Sequence, residues 1–524
     1  MEDPYYITTA ISYPNGPPHI GHAYEAIAAD AIARFHRLSG REVRFQTGTD
    51  EHGLKMVQTA RDNDVDVRDL CNEMSDQFQA MCDKLNISYD KFQRTTEPAH
   101  HTASQALWKA LAASGDLELG RYDGWYSVRD EAFYEDKELT INKDGVKLSP
   151  QCTPVEWTVE ENWRFKLSKY QKPLLDYYAA HPEFIQPDSR RNEVIRFVEG
   201  GLQDLSVSRT SFDWGVKVPG SDGHVMYVWV DALTNYLTGL GYPEDTELWH
   251  KFWPADLHLI GKDIVRFHAV YWPAFLMSAG LPLPRQVFGH GFVLARDGSK
   301  MGKSAGNSSD PLLLAERYGV DSLRYFLLRE VSFGQDGTWS EEAIVTRCNA
   351  ELANSFGNLA QRVLSMIAKN LDGELPPSSG EVLLDIGTNE SLTSVLAKGF
   401  KHQFYDLHIS QAIEVWVRTV YGWNQYVDAN APWALRKEGK IDEMKAVLAI
   451  LYISIRDLAI TIQPIIPASA GKLLDQMGIP ADERSYAALS DDTWYDRLRA
   501  SGFRLGPPTP IFPRRELPNE AAVI

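Results

Sequence analysis

Two histidines, His19 and His22, bracket Gly21 near the start of the chain, and two lysines with the same spacing, Lys300 and Lys303, bracket Met301-Gly302 far downstream. These residue types suit phosphate chemistry. The histidines follow an apolar, β-rich run over 5–11 and a Pro/Asn/Gly loop, and they open a helical pattern with apolar positions at Ile20, Tyr24, Ile27, Ala31, Ile32 and Phe35. A helix start after a strand presents orphan N–H groups and a positive dipole end to anions. Spacing by three puts both imidazoles on one face, and Gly21 leaves room for a nucleotide against the backbone. The lysines lie among small residues in Arg296-Asp297-Gly298-Ser299-Lys300-Met301-Gly302-Lys303-Ser304, a sequence that predicts a loop. Lysine is a flexible point charge, fit for phosphate charge that builds and then departs with pyrophosphate. A carboxylate attacking an α-phosphate is already ionised at neutral pH, so such a reaction needs positioning and charge stabilisation and no general base. Taken singly, the first motif also reads as a helix start with surface imidazoles and the second as a solvated basic loop. Both together, in this order, point to ATP-dependent activation of a carboxylic acid.

The pair resembles the HIGH and KMSKS signatures of class I aminoacyl-tRNA synthetases, with Gly302 where the second signature most often has serine. Four further segments narrow the resemblance to the methionyl-tRNA synthetases, over nearly the whole chain. They are Ile11-Ser12-Tyr13-Pro14-Asn15, Thr47-Gly48-Thr49-Asp50-Glu51-His52-Gly53, Tyr227-Val228-Trp229-Val230-Asp231-Ala232 and Gly261-Lys262-Asp263-Ile264-Val265-Arg266-Phe267-His268. The resemblance implies that His19, His22, Lys300 and Lys303 are catalytic. It implies a methionine site of Ile11, Ser12, Tyr13, Asp50, Trp229, Ala232, Tyr236, Ile264 and His268, with Asp50 on the ammonium group and Tyr13 and Trp229 as walls. For ATP it implies His19, Gly21, His22, Gly261, Asp263, His290, Gly291, Val293, Lys300 and Lys303, with the strand over 288–293 receiving the adenine. Aromatic walls suit a thioether, which gains roughly 0.3–1.5 kcal/mol at a ring edge. On residue type alone, Asp50 reads as a helix N-cap, Trp229 and Tyr236 as core, His268 as a satisfied core histidine, and Gly261-Lys262-Asp263 as a turn.

Composition bounds the alternatives. The chain has 524 residues, 44% of them hydrophobic, enough for several domains, and a net charge of −18. That charge argues against nonspecific DNA binding and confines any RNA contact to local basic patches, with Arg190-Arg191, Arg296 to Lys303, Arg436-Lys437 and Arg497, Arg499 and Arg504 as candidates. The four cysteines, Cys71, Cys82, Cys152 and Cys348, form no C-x-x-C pair. No structural zinc is expected, and Gly124-Trp125-Tyr126-Ser127 resembles the branch of the family without the zinc knuckle. ATP with Mg2+ is the expected cofactor set. The acidic start lacks the basic and apolar parts of a targeting peptide, and the apolar stretch 446–467 is broken by Arg456-Asp457 and two prolines. A cytoplasmic protein with no membrane partner is expected, and a monomer, since no appended dimerising module follows.

The expected fold class is α/β: a doubly wound, Rossmann-type parallel-sheet catalytic domain split by a connective insertion, followed by an all-α helix-bundle anticodon-binding domain. The boundaries are 1–115 and 226–295 for the two catalytic halves, 116–225 for the insertion, 296–348 for the linking segment with the lysine loop, 349–506 for the bundle and 507–524 for the tail. Within the insertion a β run over 124–133 and a helix over 169–180 are predicted. A strand over 287–295 closes the sheet, and helices run over 350–369, 395–428, 441–463 and 468–477. Asn358 and Arg362 resemble the family's anticodon-reading helix, and Trp433 in Ala431-Pro432-Trp433 its base-stacking loop. Without the resemblance the first two read as a surface polar pair and Trp433 as a buried anchor. The expected partners are L-methionine and the elongator and initiator methionine tRNAs. Among competitors, a cysteinyl enzyme would need zinc-binding thiols, a stand-alone adenylyltransferase is far shorter, and a silent tRNA-binding protein would not need the histidines and lysines intact.

Overall fold

The structure, a computed structural model, describes residues 3–129, 132–295, 298, 310–377 and 392–517. The chain forms two compact units. One comprises residues 4–29 and 43–290, and the other residues 3, 30–42 and those from 291 onward.

The first unit is built on a six-stranded sheet in the order Lys91–Arg94, Val43–Thr49, Tyr5–Thr9, Leu257–Gly261, Val287–His290, Ile185–Gln186, with every neighbouring pair parallel. All five residues of Tyr5–Thr9 are buried, as a strand covered on both faces requires. Its two threonines are satisfied inside the sheet: Thr8 Oγ1 meets His258 Nδ1 at 2.7 Å and Thr9 Oγ1 donates to Thr47 Oγ1 at 2.7 Å. Tyr5–Thr9 lies between strands from opposite ends of the unit's sequence, so the chain order reverses there, where ligand crevices of open parallel sheets form. The helix Ile20–Leu38 begins at this crevice.

The structure departs from the sequence expectation in three places. The stretch 116–225 is not all outside the main sheet, because Ile185–Gln186 forms its edge against Val287–His290. The rest of that stretch holds a four-stranded antiparallel sheet in the order Leu205–Ser206, Glu156–Phe165, Leu117–Ser127, Ala132–Tyr134, and the helices Gln171–Ala180 and Asp188–Glu199. The strand expected over 287–295 stops at His290, and Val293–Leu294 pairs instead with Gly337–Thr338 in the second unit. A Cβ at Gly291 would lie 2.0 Å from the Gln335 carbonyl oxygen, so only glycine lets the two backbones approach there. The helix expected over 395–428 is two helices, Leu392–Tyr405 and Ile409–Asn430, parted at Leu407 in left-handed conformation with φ 58°.

Among the described residues, the regular elements from Pro311–Tyr318 onward are helices apart from the strand Gly337–Thr338. Asn358–Asn370 buries Leu359, Ala360, Val363, Leu364 and Ile367 on one face and continues a π-type stretch, Cys348–Gly357. Ile441–Ile462 and Pro467–Gln476 complete the core as predicted. Arg324, fully buried, donates to Asp30 Oδ2 at 2.6 Å and to the carbonyls of Pro464 and Ile465 at 2.9 and 3.0 Å, a buried charge satisfied on every side. Residues 507–517 fold back on the bundle. Gln361 Nε2 donates to the Pro508 carbonyl at 3.2 Å, Arg514 Nε to Asn354 Oδ1 at 3.0 Å, and Asn349 exchanges two hydrogen bonds with the Arg515 backbone.

Candidate active site

The helix start sets both histidines. The His19 N–H donates to His22 Nδ1 at 3.1 Å, and the Gly21 N–H donates to His19 Nδ1 at 3.0 Å. An Nδ1 that accepts from a backbone N–H carries no hydrogen, so each neutral ring keeps its hydrogen on Nε2, the donor a phosphate oxygen needs. The rings lie face to face, 3.8 Å apart and 30° from parallel. Gly21 is required by this stacking, because its Cβ would meet His19 Cε1 at 2.9 Å. The two imidazoles and the helix N-terminus form one anion-binding face.

Three residues further along the helix, Glu25 accepts from or shares a proton with His290, Oε2 to Nε2 at 2.9 Å. Burial raises the Glu25 carboxyl above its ordinary value, against the His290 contact; the Asp263 charge adds to the rise and a Gly261 backbone hydrogen bond opposes it. Glu25 therefore gathers Gly261, Asp263 and His290, three residues of the expected ATP set. Sequence reasoning missed Glu25. Its signal was one carboxylate, three residues after His22, among the apolar positions of that helix.

The expected methionine residues converge from four segments. Ser12 and Asp50 are joined by backbone pairing, Ser12 N–H to the Gly48 carbonyl and Asp50 N–H to the Ser12 carbonyl, both 2.9 Å. Asp50 is buried, and the half-buried Tyr13 accepts from the Met56 N–H at 3.3 Å through its hydroxyl. Trp229 opens the helix Val228–Thr238 and stacks on Phe267, with ring centroids 3.7 Å apart and planes 6° from parallel. Phe267 is a second residue that sequence reasoning passed over. Ala232 and Tyr236 follow on the same side of that helix and are buried. Burial raises the Tyr236 hydroxyl well above its ordinary value, and the charges of Glu25 and Asp50 push it the same way.

His268 lies in a π-type turn, Phe267–Tyr271, after the short 3-10 turn Lys262–Ile264. Its Nδ1 is 3.0 Å from the Ile264 carbonyl and its Nε2 is 2.7 Å from the Tyr236 hydroxyl. A carbonyl only accepts, so Nδ1 carries the hydrogen and Tyr236 donates to Nε2. Burial lowers the imidazole to about 4, so it is neutral at pH 7. The half-buried Ile11 and Ile264 belong to the same unit.

Not every expected residue joins this cluster. Lys300 and Lys303, with Gly302, lie outside the described residues. Gly291 and Val293 belong to the second unit, as do the anticodon candidates. There the Arg362 guanidinium lies 4.9 Å above the Trp433 ring and pairs with Asp428 at 3.0 Å. Trp433 is 39% exposed, which overturns the buried-anchor reading, and Asn358 is exposed on the same helix as Arg362.

The crevice at the sheet reversal and the paired imidazoles define a class. The family model described as tRNA synthetases class I (M) matches residues 5–364. The methionine-tRNA ligase of Brucella suis biovar 1 (strain 1330) is 54% identical over 510 residues, 97% of this chain and 98% of that protein. The enzyme of the same name from Mycobacterium bovis is 53% identical over 525 residues, 98% of this chain and 99% of its own length. The crystal structure of Mycobacterium tuberculosis methionyl-tRNA synthetase bound by methionyl-adenylate superposes with a TM-score of 0.91 at 52% identity, covering 98% of this chain and all of that one. This chain belongs to the methionine-tRNA ligase family.

Proposed function

We propose that the chain joins L-methionine to its tRNAs in two steps. ATP and methionine form methionyl adenylate and release pyrophosphate, and the methionyl group then passes to the 3′-terminal adenosine of methionine tRNAs, the initiator included. The observation that carries this reading is the full-length likeness to a synthetase whose crystal structure holds methionyl-adenylate.

In the first step the methionine carboxylate attacks the α-phosphate. His19 and His22 donate through Nε2 as charge grows on the phosphates, and Lys300 and Lys303 add their ammonium groups, so that pyrophosphate leaves with its charge matched. Asp50 holds the substrate ammonium. Tyr13, Trp229, Ala232 and Tyr236, with Ile11, Ser12 and Ile264, enclose the thioether chain. His268 has both ring nitrogens committed to Ile264 and Tyr236, so it shapes the pocket and fixes the tyrosine hydroxyl, with no N–H left to offer a ligand. Gly261, Asp263, His290, Gly291 and Val293 take the nucleoside. Mg2+ enters with ATP as the metal-nucleotide substrate and neutralises phosphate charge; among the described residues no group of three or more His, Cys, Asp or Glu side chains could hold a metal ion of its own.

In the second step Asn358, Arg362 and Trp433 read the anticodon, and the insertion within 116–225 guides the acceptor end. The remaining organisation follows: catalytic halves at 1–115 and 226–295, linker 296–348, bundle 349–506, tail 507–524. A monomer in the cytoplasm completes the reading; among the described residues no helix is long and apolar enough to cross a membrane.

ATP-pyrophosphate exchange measured with each of the twenty amino acids tests the activation step. Exchange driven by methionine alone is the expected result, and exchange with another amino acid or with none overturns the reading.

A further inference from the structure

The loop that carries Asp50 and the helix that carries Trp229, Ala232 and Tyr236 are separate elements. Binding one amino acid requires that they keep a fixed relation. Asp50 is followed by two buried polar residues, Glu51 and His52. Glu51 is clamped by Arg94, with Nε at 2.6 Å and Nη2 at 3.1 Å, by Thr49 Oγ1 at 2.8 Å, and through its carbonyl by Trp214 Nε1 at 2.7 Å. These bonds hold the loop to its own strand and its surroundings, and none of them reaches the helix.

His52 does reach it. Its Nδ1 lies 2.7 Å from Oδ2 of Asp231, and the other oxygen of that carboxylate, Oδ1, lies 2.7 Å from His100 Nε2. Asp231 and His100 are fully buried and His52 is 3% exposed. Burial alone would raise the Asp231 carboxyl, but the two imidazoles more than offset it and hold the group well below the usual carboxylate range. It is an anion that accepts from both rings. His100 Nδ1 lies 3.0 Å from Thr238 Oγ1, two turns further along the same helix, so one imidazole touches the helix twice. Asp231 is two residues from Trp229, which turns it about 200° around the helix axis and away from the pocket wall. The activation step itself makes no use of it.

We propose that Asp231 is a positioning residue for methionine activation. Through His52 it ties the loop bearing the ammonium-binding carboxylate to the helix bearing the aromatic wall, and through His100 it braces that helix against Pro98–Ala113. This inference rests on the methionine pocket proposed above. Without the strut, every pocket side chain remains present and Gln46 Nε2 still joins the preceding strand to the helix through the Asn235 carbonyl and Oδ1 at 2.9 and 2.8 Å, but the tie beside Asp50 itself is lost and carboxylate and wall no longer keep one spacing. Methionine, which bridges them, loses affinity, while ATP, which is held mainly at the histidine helix and at Gly261 and Asp263, does not.

The test is ATP-pyrophosphate exchange with wild type, Asp231→Asn, His52→Ala and His52→Asn, with KM for methionine and for ATP read separately and Tm measured for each. Asp231→Asn and His52→Ala are expected to raise KM for methionine by about tenfold or more, the size of one lost charge-assisted hydrogen bond. KM for ATP stays near wild type. His52→Asn, whose amide nitrogen stands where Nδ1 stood, restores most of the methionine affinity. The His52 pair decides the matter if Asp231→Asn does not fold. An unchanged KM for methionine in a folded His52→Ala protein overturns the inference. So does a parallel rise in both KM values with a fall in Tm, or His52→Asn behaving like His52→Ala. Wild-type protein without methionine-dependent exchange would instead overturn the pocket reading beneath it.

Discussion

The cluster around Tyr236 and the Arg362–Trp433 patch both set an aromatic ring beside a nitrogen-bearing side chain, yet they are built on opposite plans. Around Tyr236 the hydrogen bonds run in one direction, the Tyr236 hydroxyl donating to His268 Nε2 and His268 Nδ1 donating to the Ile264 carbonyl, with both side chains buried. At Arg362 the partners are exposed, and they satisfy one another through a cation-π contact and a surface ion pair with Asp428. A surface pair of this kind is worth about 0–1 kcal/mol, so either member can be released at little cost. A pocket for one small molecule gains from groups that cannot rearrange. A surface that meets a large, deformable partner gains from groups that hold each other until it arrives.

That contrast can be broken at three points. The sharpest is His22→Ala, which removes a donor fixed in place before the substrate binds. Exchange is expected to fall by about 100- to 1000-fold, the typical cost of one preorganised transition-state donor. A loss below tenfold would mean that the imidazole does not meet the phosphates. Trp433→Ala should act on the other side of the comparison. Charging of a methionine tRNA transcript is expected to weaken by about 1–3 kcal/mol in kcat/KM, the worth of one stacked base, while exchange without tRNA is preserved. Equal losses in both assays would make Trp433 a structural residue.

The smallest effect concerns pH. Burial lowers His268 from an ordinary 6.5 to about 4. The folded state therefore refuses a proton that the unfolded chain accepts, so this stability is complete above pH 6.5 and is lost as the pH falls toward 4. The slope is about 1.4 kcal/mol per pH unit for one such imidazole. His268→Asn keeps a donor for Ile264 and removes the titration, so its Tm should fall less between pH 7 and pH 5 than that of wild type. Equal slopes in thermal melts would show that His268 is not kept neutral by the fold.

How much of this the sequence disclosed depended on the range of the force involved. Local periodicity was sufficient for Tyr5–Thr9, Ile20–Leu38 and Ile441–Ile462, and three-residue spacing for the His19–His22 face. It was insufficient where the cause lay through space. Ile185–Gln186 is too short to show a period and is a strand only because Val287–His290 offers it an edge. The break at Gly291 is dictated by a carbonyl 44 residues away in sequence, at Gln335. Leu407 gives no warning of a left-handed turn, since that conformation is uncommon in a residue with a branched side chain. Within the site, the resemblance named the residues of the expected pocket, where residue types alone read as core and caps, but not Phe267 beneath Trp229, Glu25 beside His290, or the commitment of both His268 nitrogens. Those are properties of pairs, and the pairs are made by the fold.

The returning stretch 507–517 has a consequence for anyone who shortens the protein. It is sewn to Asn349, Asn354 and Gln361, on the same continuous helical run that displays Asn358 and Arg362, and to Gln476 across the bundle. It serves that run as a splint serves a limb, keeping it straight from outside. Trimming the chain at residue 506 would remove these bonds and take the stiffness out of the run that carries Asn358 and Arg362.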